Sequence, residues 1–274
     1  SSDVCSSDLE VISRGGGAAA NTACWMGAIG TDVTFAGQLG IDTAGEILIE
    51  EFKRNNVKLS VRRTPERNTG TVVVIIEPDG ERTMFPDPGA NSGLTFSALP
   101  NVADFDALFI SGYALYNPAS YSAISSLVES ANQSKTPIFF DLASVGTMDR
   151  FGRRRILDFL PNVQCIIMNE DEARYLAQAE PRDSSAFYLS LVELAVVKLG
   201  ADGALALKRG PNNAIEESRI KGKTVDVVDT TGAGDAFAAA FIASLLSGSK
   251  LTEALEAGDQ LARQCVGIVG ARPR

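Results

Sequence analysis

The chain has 274 residues, 45% hydrophobic and 22% charged, with a formal net charge of −9, a composition ordinary for a globular protein and unlike a disordered or fibrous one. It contains no histidine, which excludes Ser-His-Asp and Cys-His nucleophile pairs, histidine general bases and every His-containing metal site. The acidic balance disfavours nucleic acid as a partner, and the longest apolar stretch, Ala236 to Leu246, is too short for the roughly 20 residues that span a bilayer.

Residues 1 to 9, Ser-Ser-Asp-Val-Cys-Ser-Ser-Asp-Leu, show no hydrophobic period, and residues 3 to 9 resemble a translated sequencing adapter, so we expect a non-native leader over 1–9. Residues 10 to 274 are expected to form a single domain. Four separated cysteines, Cys5, Cys24, Cys165 and Cys265, contain no CxxC; neither a disulfide framework nor a zinc site is expected, and a reducing cytoplasm fits.

In chain order, residues 18–29 read as a helix after a glycine run and residues 33–37 as a short strand. Ala44 to Asn55 is an amphipathic helix, with Ile47, Leu48 and Phe52 at helical spacing. A strand is predicted over 57–62. The β-branched run Thr71 to Ile76, then Asp79-Gly80, then Glu81 to Phe85, predicts a tight hairpin. Strands then alternate with helices. Strands are predicted at 107–111, 137–141, 165–168, 194–198 and 204–208. Helices are predicted at 119–132, 153–159, 170–177, 185–191, 233–246 and 251–269. This alternation predicts an α/β fold, a mostly parallel sheet with helices on both faces, from which residues 57–90 depart as a small β lid.

The segment Val228-Asp229-Thr230-Thr231-Gly232-Ala233-Gly234-Asp235 carries the strongest chemical signal. A helix start leaves backbone N–H groups unpaired and partly positive, and glycines let a phosphate approach them. Alone, the pattern is equally a helix-start carboxylate beside a glycine turn. Upstream, Gly15-Gly16-Gly17-Ala18-Ala19-Ala20-Asn21 precedes a helix, and Gly37-Gln38-Leu39-Gly40-Ile41-Asp42-Thr43-Ala44-Gly45 follows it. Asn169-Glu170-Asp171-Glu172 opens another helix, where acidic residues are common for dipole reasons alone. Val197-Lys198-Leu199-Gly200-Ala201-Asp202-Gly203 reads as strand, turn, strand. Gly222-Lys223-Thr224 ends like a P-loop, but Glu217 stands where its first glycine belongs, and no dinucleotide-binding G-x-G-x-x-G appears.

Together these segments resemble, in order, the signatures of the ribokinase-like carbohydrate kinases, the PfkB family, from about Glu10 onward. The resemblance implies an ATP-dependent sugar kinase with Mg²⁺ as cofactor. It gives Gly232, Ala233 and Gly234 the role of an anion hole and Asp235 that of catalytic base, which suits phosphoryl transfer, a reaction of positioning and charge stabilisation. It implies that Gly16, Gly17, Asn21 and Asn91 contact the sugar, the last through the Gly89-Ala90-Asn91 run after the lid. It implies that Lys198, Gly200, Gly203, Thr230, Gly232 and Gly234 contact ATP. Asn169 and Glu172 match the magnesium motif, largely acting through water, and Asp229 and Thr231 match a monovalent-cation (K⁺) position. Gly258 and Asp259 fall on a helix that flanks adenine in the family, although Asp259 reads better as a solvated helix residue.

Asp141 ends a strand, a usual ligand-facing place, but the polar residue the family often has two positions later is Ala143 here. The family's first core strand, with its substrate-binding Asp, has no counterpart in the chain, so the lid is expected from 10–15 and 57–90 and the chain is expected to be poorly stable and weakly active. Ribose, fructose and 2-keto-3-deoxygluconate remain open as substrates, with Ala18, in place of a lysine of ribokinases proper, arguing against ribose. The alternatives are a nucleoside kinase of the same fold, for which Phe85 is the base-stacking candidate, and a non-catalytic sugar- or nucleotide-binding relative. A homodimer through the lid is a further expectation from the family.

Overall fold

The computed structural model describes residues 12–76 and 82–274. Helix α1 (Ala18–Ala28) leads into β1 (Thr34–Gly40), α2 (Thr43–Arg54) and β2 (Lys58–Thr64). β3 (Thr71–Ile76) and β4 (Arg82–Asp87) follow, then β5 (Leu108–Ser111), α3 (Gly112–Tyr116), α4 (Tyr121–Ser134) and β6 (Ile138–Asp141). The chain continues through α5 (Val145–Phe151), α6 (Arg153–Phe159), β7 (Cys165–Asn169), α7 (Glu170–Ala177), α8 (Ser185–Leu191) and β8 (Leu194–Lys198). It closes with β9 (Ala204–Arg209), β10 (Ile215–Ile220), α9 (Ala233–Leu246) and α10 (Leu251–Val266).

The main sheet runs β10-β9-β8-β7-β6-β5. β5 through β8 are parallel, whereas β9 and β10 join antiparallel. Its central strands are apolar on both faces, as a parallel sheet covered by helices requires. Ile110, Phe140, Ile166, Met168 and Val197 pack toward α4 to α8, in a cluster with Ile124, Ile156 and Tyr188. Their neighbours Phe139, Cys165, Ile167 and Val196 pack the other way, against Trp25 of α1, Phe237 and Phe241 of α9 and Leu261 of α10. This alternation within one strand is the period-two geometry of a pleated sheet. Among the described residues no helix is long and apolar enough to cross a membrane.

Residues 57–90 divide into two parts. β2 pairs in parallel with β1, from Thr34↔Lys58 to Gly40↔Thr64, so it continues the α/β alternation. β3 and β4 form the antiparallel hairpin, registered from Thr71↔Asp87 to Ile76↔Arg82. The Asp79-Gly80 turn and the expected leader lie outside the described residues, as do residues 10 and 11 of the expected lid; residues 12–15, which are described, form no strand. Among the described residues, no ladder joins β1 and β2 to the main sheet.

β10, α3 and α5 carried no clear period. β10 is Ile-Glu-Glu-Ser-Arg-Ile on the sheet edge, mostly exposed, so its strand character comes from pairing with β9 rather than from alternation; charged edge strands also resist stray pairing.

The glycine-and-aspartate stretch around Asp42 is a structural joint. Asp42 caps α2, accepting from Gly45 N–H at 2.8 Å. It also accepts from the Thr69 N–H at 2.7 Å and the Thr69 hydroxyl at 2.6 Å. The same hydroxyl oxygen accepts from Gly40 N–H at 3.0 Å. Asp42 thus ties the end of β1 to the base of the hairpin. These bonds, led by that from the Thr69 hydroxyl, hold its carboxyl below the usual range. An acid with a depressed folded pKa contributes stability at neutral pH that is lost as pH falls through that pKa. Asp42→Ala should therefore cost about 1–2 kcal/mol at pH 7, and the gap to wild type should narrow in acid. Urea unfolding at both pH values checks this; an equal loss at each would contradict it.

Candidate active site

The C-terminal ends of the parallel strands and the start of α9 meet at one place, where ligands bind in open α/β sheets. Gly232 caps α9 with φ 81°, and a Cβ on it would lie 2.6 Å from the Ala271 Cα. Only glycine satisfies both the left-handed backbone and that approach. The first N–H groups of a helix have no intrahelical partner; here that of Ala233 turns back to the Thr230 carbonyl at 3.3 Å. Asp235 stands in the same turn. From Ala236 to Ile242 the helix is buried, which anchors the turn rigidly.

α1 presents Asn21 to this turn. Its Nδ2 donates to Asp235 Oδ2 at 2.8 Å, and the Gly15–Gly17 loop lies immediately before the helix. The structure therefore brings together Gly16, Gly17, Asn21 and Asp235, which lie far apart in sequence.

Beneath the Gly232–Gly234 turn lies a charge cluster that the sequence did not announce as such. Lys198, at the end of β8, pairs with Asp141 at the end of β6, Nζ to Oδ2 at 2.9 Å, with 15% and 10% of the two side chains exposed. A Cβ on Gly234 would sit 3.1 Å from Lys198 Nζ. The lysine is thus held under the glycine turn. Burial works against its charge, but the carboxylates of Asp141 and Glu172, with Asp235 beyond, outweigh burial and hold it above its ordinary pKa. Asp141 also accepts from Ala143 N–H at 2.9 Å, and Ala143 has φ 71°. The position two residues after Asp141 therefore contributes a backbone donor to Asp141 in an uncommon conformation.

Glu172 is 2% exposed and forms a reciprocal cap with Asn169. Its two carboxylate oxygens accept from the Asn169 backbone and side-chain amides, each at 2.8 Å, and its own N–H donates to Asn169 Oδ1 at 2.9 Å. Desolvation chiefly raises Glu172, to about 7, against the pull of Lys198. Among the described residues no group of three or more His, Cys, Asp and Glu is placed to hold a metal ion. Asp229 organises the loop: it accepts from the Thr231 N–H and hydroxyl at 2.9 and 2.7 Å and from Gly270 N–H at 2.9 Å.

Other sequence-selected residues take different places. Gly200 sits exposed in the turn after β8. Gly203 is buried, with φ 98°, and its Cβ would meet the Ile220 carbonyl at 2.3 Å; packing against β10 explains this glycine. Thr230 is exposed, and its carbonyl accepts from Ala233 N–H at 3.3 Å. Gly258 packs against the Phe237 ring, where a Cβ would come within 3.0 Å. Asp259 pairs with Arg263 at 2.9 Å with only 13% of its side chain exposed, so it is largely covered rather than solvated. Asn91 is exposed in the turn Gly89–Gly93, and its Nδ2 faces Gly70 at the base of the hairpin. Arg272 had no sequence signal: it is 8% exposed and reaches Asn21 from the far end of the chain. Nearby, Trp25 Nε1 donates to the Ala271 carbonyl at 2.9 Å.

A kinase signature on an α/β sheet fits the comparison with known families, in which the model for pfkB family carbohydrate kinases matches residues 10–273. The chain belongs to this family. It is a kinase, with the ribokinase-like fold. An uncharacterised sugar kinase of Archaeoglobus fulgidus is 28% identical over 248 residues, 89% of this chain and 95% of that protein. The crystal structure of an adenosine kinase from Sinorhizobium meliloti superposes with a TM-score of 0.87 at 26% identity, covering 94% of this chain and 79% of that one. A putative ribokinase II from E. coli, in complex with ATP and Mg²⁺, shares the fold with a TM-score of 0.85 at 23% identity, covering 96% and 87%. Membership in this sugar and nucleoside kinase family leaves the acceptor open.

Asp235 is only partly exposed, and desolvation raises its pKa to about 7; Asn21 pulls it down, Asp141 raises it, and Lys198 and Arg272 pull it down. A raised carboxyl binds protons in the folded state that the unfolded chain has already released. Stability is therefore lost as pH rises from about 4 through about 7. Asp235→Asn should be more stable than wild type at pH 8, by about 1–2 kcal/mol given the partial exposure, and show no such gain near pH 4. Urea melts at the two pH values test this; an asparagine variant less stable than wild type at pH 8 would refute it.

Proposed function

We propose that the protein transfers the γ-phosphoryl group of ATP to a hydroxyl of a small sugar or sugar acid. The observation that carries this reading is the Asp235 carboxylate in the first turn of α9, beside the Gly232–Gly234 glycine turn, with Asn21 bonded to it. Gly16, Gly17 and Asn21 hold the acceptor so that its hydroxyl faces Asp235. Asp235 takes the hydroxyl proton as the oxygen attacks γ-phosphorus, and ADP leaves. The Gly232, Ala233 and Gly234 amides, with Lys198 beneath, face the charge on the transferring group. The turn of Gly200 borders the nucleotide.

Magnesium fits the donor set here. Asn169 and Glu172 supply oxygens at the end of β7, suited to a hard cation that keeps most of its waters. The buried hydroxyls of Ser111 and Tyr116, on and beside β5, which lies beyond β6 in the same sheet, have no hydrogen-bond partner among the described residues. When bound, the metal neutralises phosphate oxygens. Asp229 and Thr231 remain the residues beside which a monovalent cation would sit, stiffening the loop.

A second reading, a nucleoside acceptor, is favoured by Phe85 on β4. It is 56% exposed and free to stack on a base. A panel of sugars and nucleosides in a coupled ATP assay separates the two. In that assay Asp235→Ala should lose about 10²–10⁴-fold in turnover while ATP still binds. With the base ionising near 7, wild-type kcat/KM should rise with pH through that region. Retained turnover in Asp235→Ala removes the assignment.

Val72, Val73, Val74, Ile75, Met84 and Phe85 leave both strands of the β3–β4 hairpin with exposed apolar side chains. We propose that a second copy of the chain covers this hairpin, because apolar surface of this kind is costly in water. Phe85→Glu should shift the sedimenting species toward the monomer; a wild-type protein monomeric throughout contradicts it.

A further inference from the structure

Arg272 occupies a position that no sequence motif indicated, and each of its three guanidinium nitrogens donates a hydrogen bond. Its Nε donates to Asn21 Oδ1 at 3.0 Å, Nη1 to Glu51 Oε2 at 2.6 Å and Nη2 to the Gly16 carbonyl at 2.8 Å. The guanidinium carbon lies 5.2 Å from the centre of the Phe52 ring, a favourable stacking for a planar cation. The other carboxylate oxygen of Glu51 accepts from Gly15 N–H at 3.1 Å. One side chain thus joins the glycine loop, Asn21 and helix α2.

An asparagine amide has two distinguishable ends, and the network around it decides which way they face. With Asn21 Oδ1 held by an obligate donor, Nδ2 must face Asp235. Were the amide turned over, its oxygen would meet the carboxylate oxygen across the same 2.8 Å, an acceptor against an acceptor. We infer that Arg272 is a positioning residue for catalysis: through Asn21 it fixes an N–H donor on Asp235 and leaves the second Nδ2 hydrogen for the acceptor hydroxyl. The inference rests on Asp235 being the base.

A hydrogen bond to the ionised carboxylate favours that form. The charged and titratable groups around Asp235 are Asp141 and Lys198 from the sheet, Cys265 from α10 and Arg272 itself. Loss of Arg272 therefore acts in two ways, by removing a nearby positive charge and by freeing the amide, and a double-mutant cycle separates them. Arg272→Gln alone should lower kcat on the order of 10–100-fold, move the acidic limb of the kcat/KM profile to higher pH, and leave KM for ATP unchanged. In the Asn21→Ala background the same substitution, read at a pH above the acidic limb where the lost charge no longer changes the ionised fraction of Asp235, should change kcat less than about 2-fold, since there is no amide left to orient. Arg272→Lys keeps the charge but lacks the fork, so its kcat should resemble that of Arg272→Gln.

Equal losses in both backgrounds, or wild-type kcat in Arg272→Lys, overturn the inference. If Arg272→Gln does not fold, Arg272→Lys takes its place in the cycle with the same expected non-additivity. Asp235→Asn, run alongside, keeps the two readings apart. Turnover in Asp235→Asn overturns the base assignment and the inference with it, whereas an inert Asp235→Asn with an additive cycle overturns the role of Arg272 alone.

Discussion

The site depends on a carboxylate kept poorly hydrated at the start of an apolar helix. Burying Asp235 costs free energy when it is charged, and the structure offsets that cost with single, well-placed contacts. The Asn21 amide, the Lys198 ammonium and the Arg272 guanidinium all favour the ionised form, while Asp141 opposes it. The result is a carboxyl that ionises near neutrality, the range in which proton transfer is most efficient, in a chain with no histidine.

The same accounting explains how an acidic protein can attract a polyphosphate. The net charge of −9 says little about the local field. At the site a buried lysine lies under the glycine turn that starts α9, in surroundings that screen it less than water does. The lysine is kept charged by Asp141 and Glu172, so the nearest negative groups serve to hold a positive one.

Much of the fold was legible because the central strands and α9 are buried and say so in their composition. Ile166, Ile167, Val196 and Val197 read as strand in any sheet covered on both faces, and the glycine turn before Asp235 could be located from its residues alone. β10 was missed because an exposed edge strand needs no apolar alternation. Asp42 and Gly45 were visible as a motif, but their work, tying the base of the hairpin to α2, appears only when Thr69 is seen beside them. Asn169 and Glu172 were correctly noted as a helix start, and the structure shows the full reciprocal cap. The partners of Lys198 and Arg272 could not be read, because long-range ion pairs leave no period in a sequence.

The bond from Trp25 to the Ala271 carbonyl has a practical consequence. Trp25 is the single tryptophan of the chain. It is buried on α1, one helical turn beyond Asn21, and its indole touches the segment that carries Arg272. Light absorbed selectively by indole is therefore emitted from beside the Asn21–Asp235 pair and nowhere else in the molecule. The protein carries its own optical reporter of how the C-terminal segment sits against the site, with no label to attach.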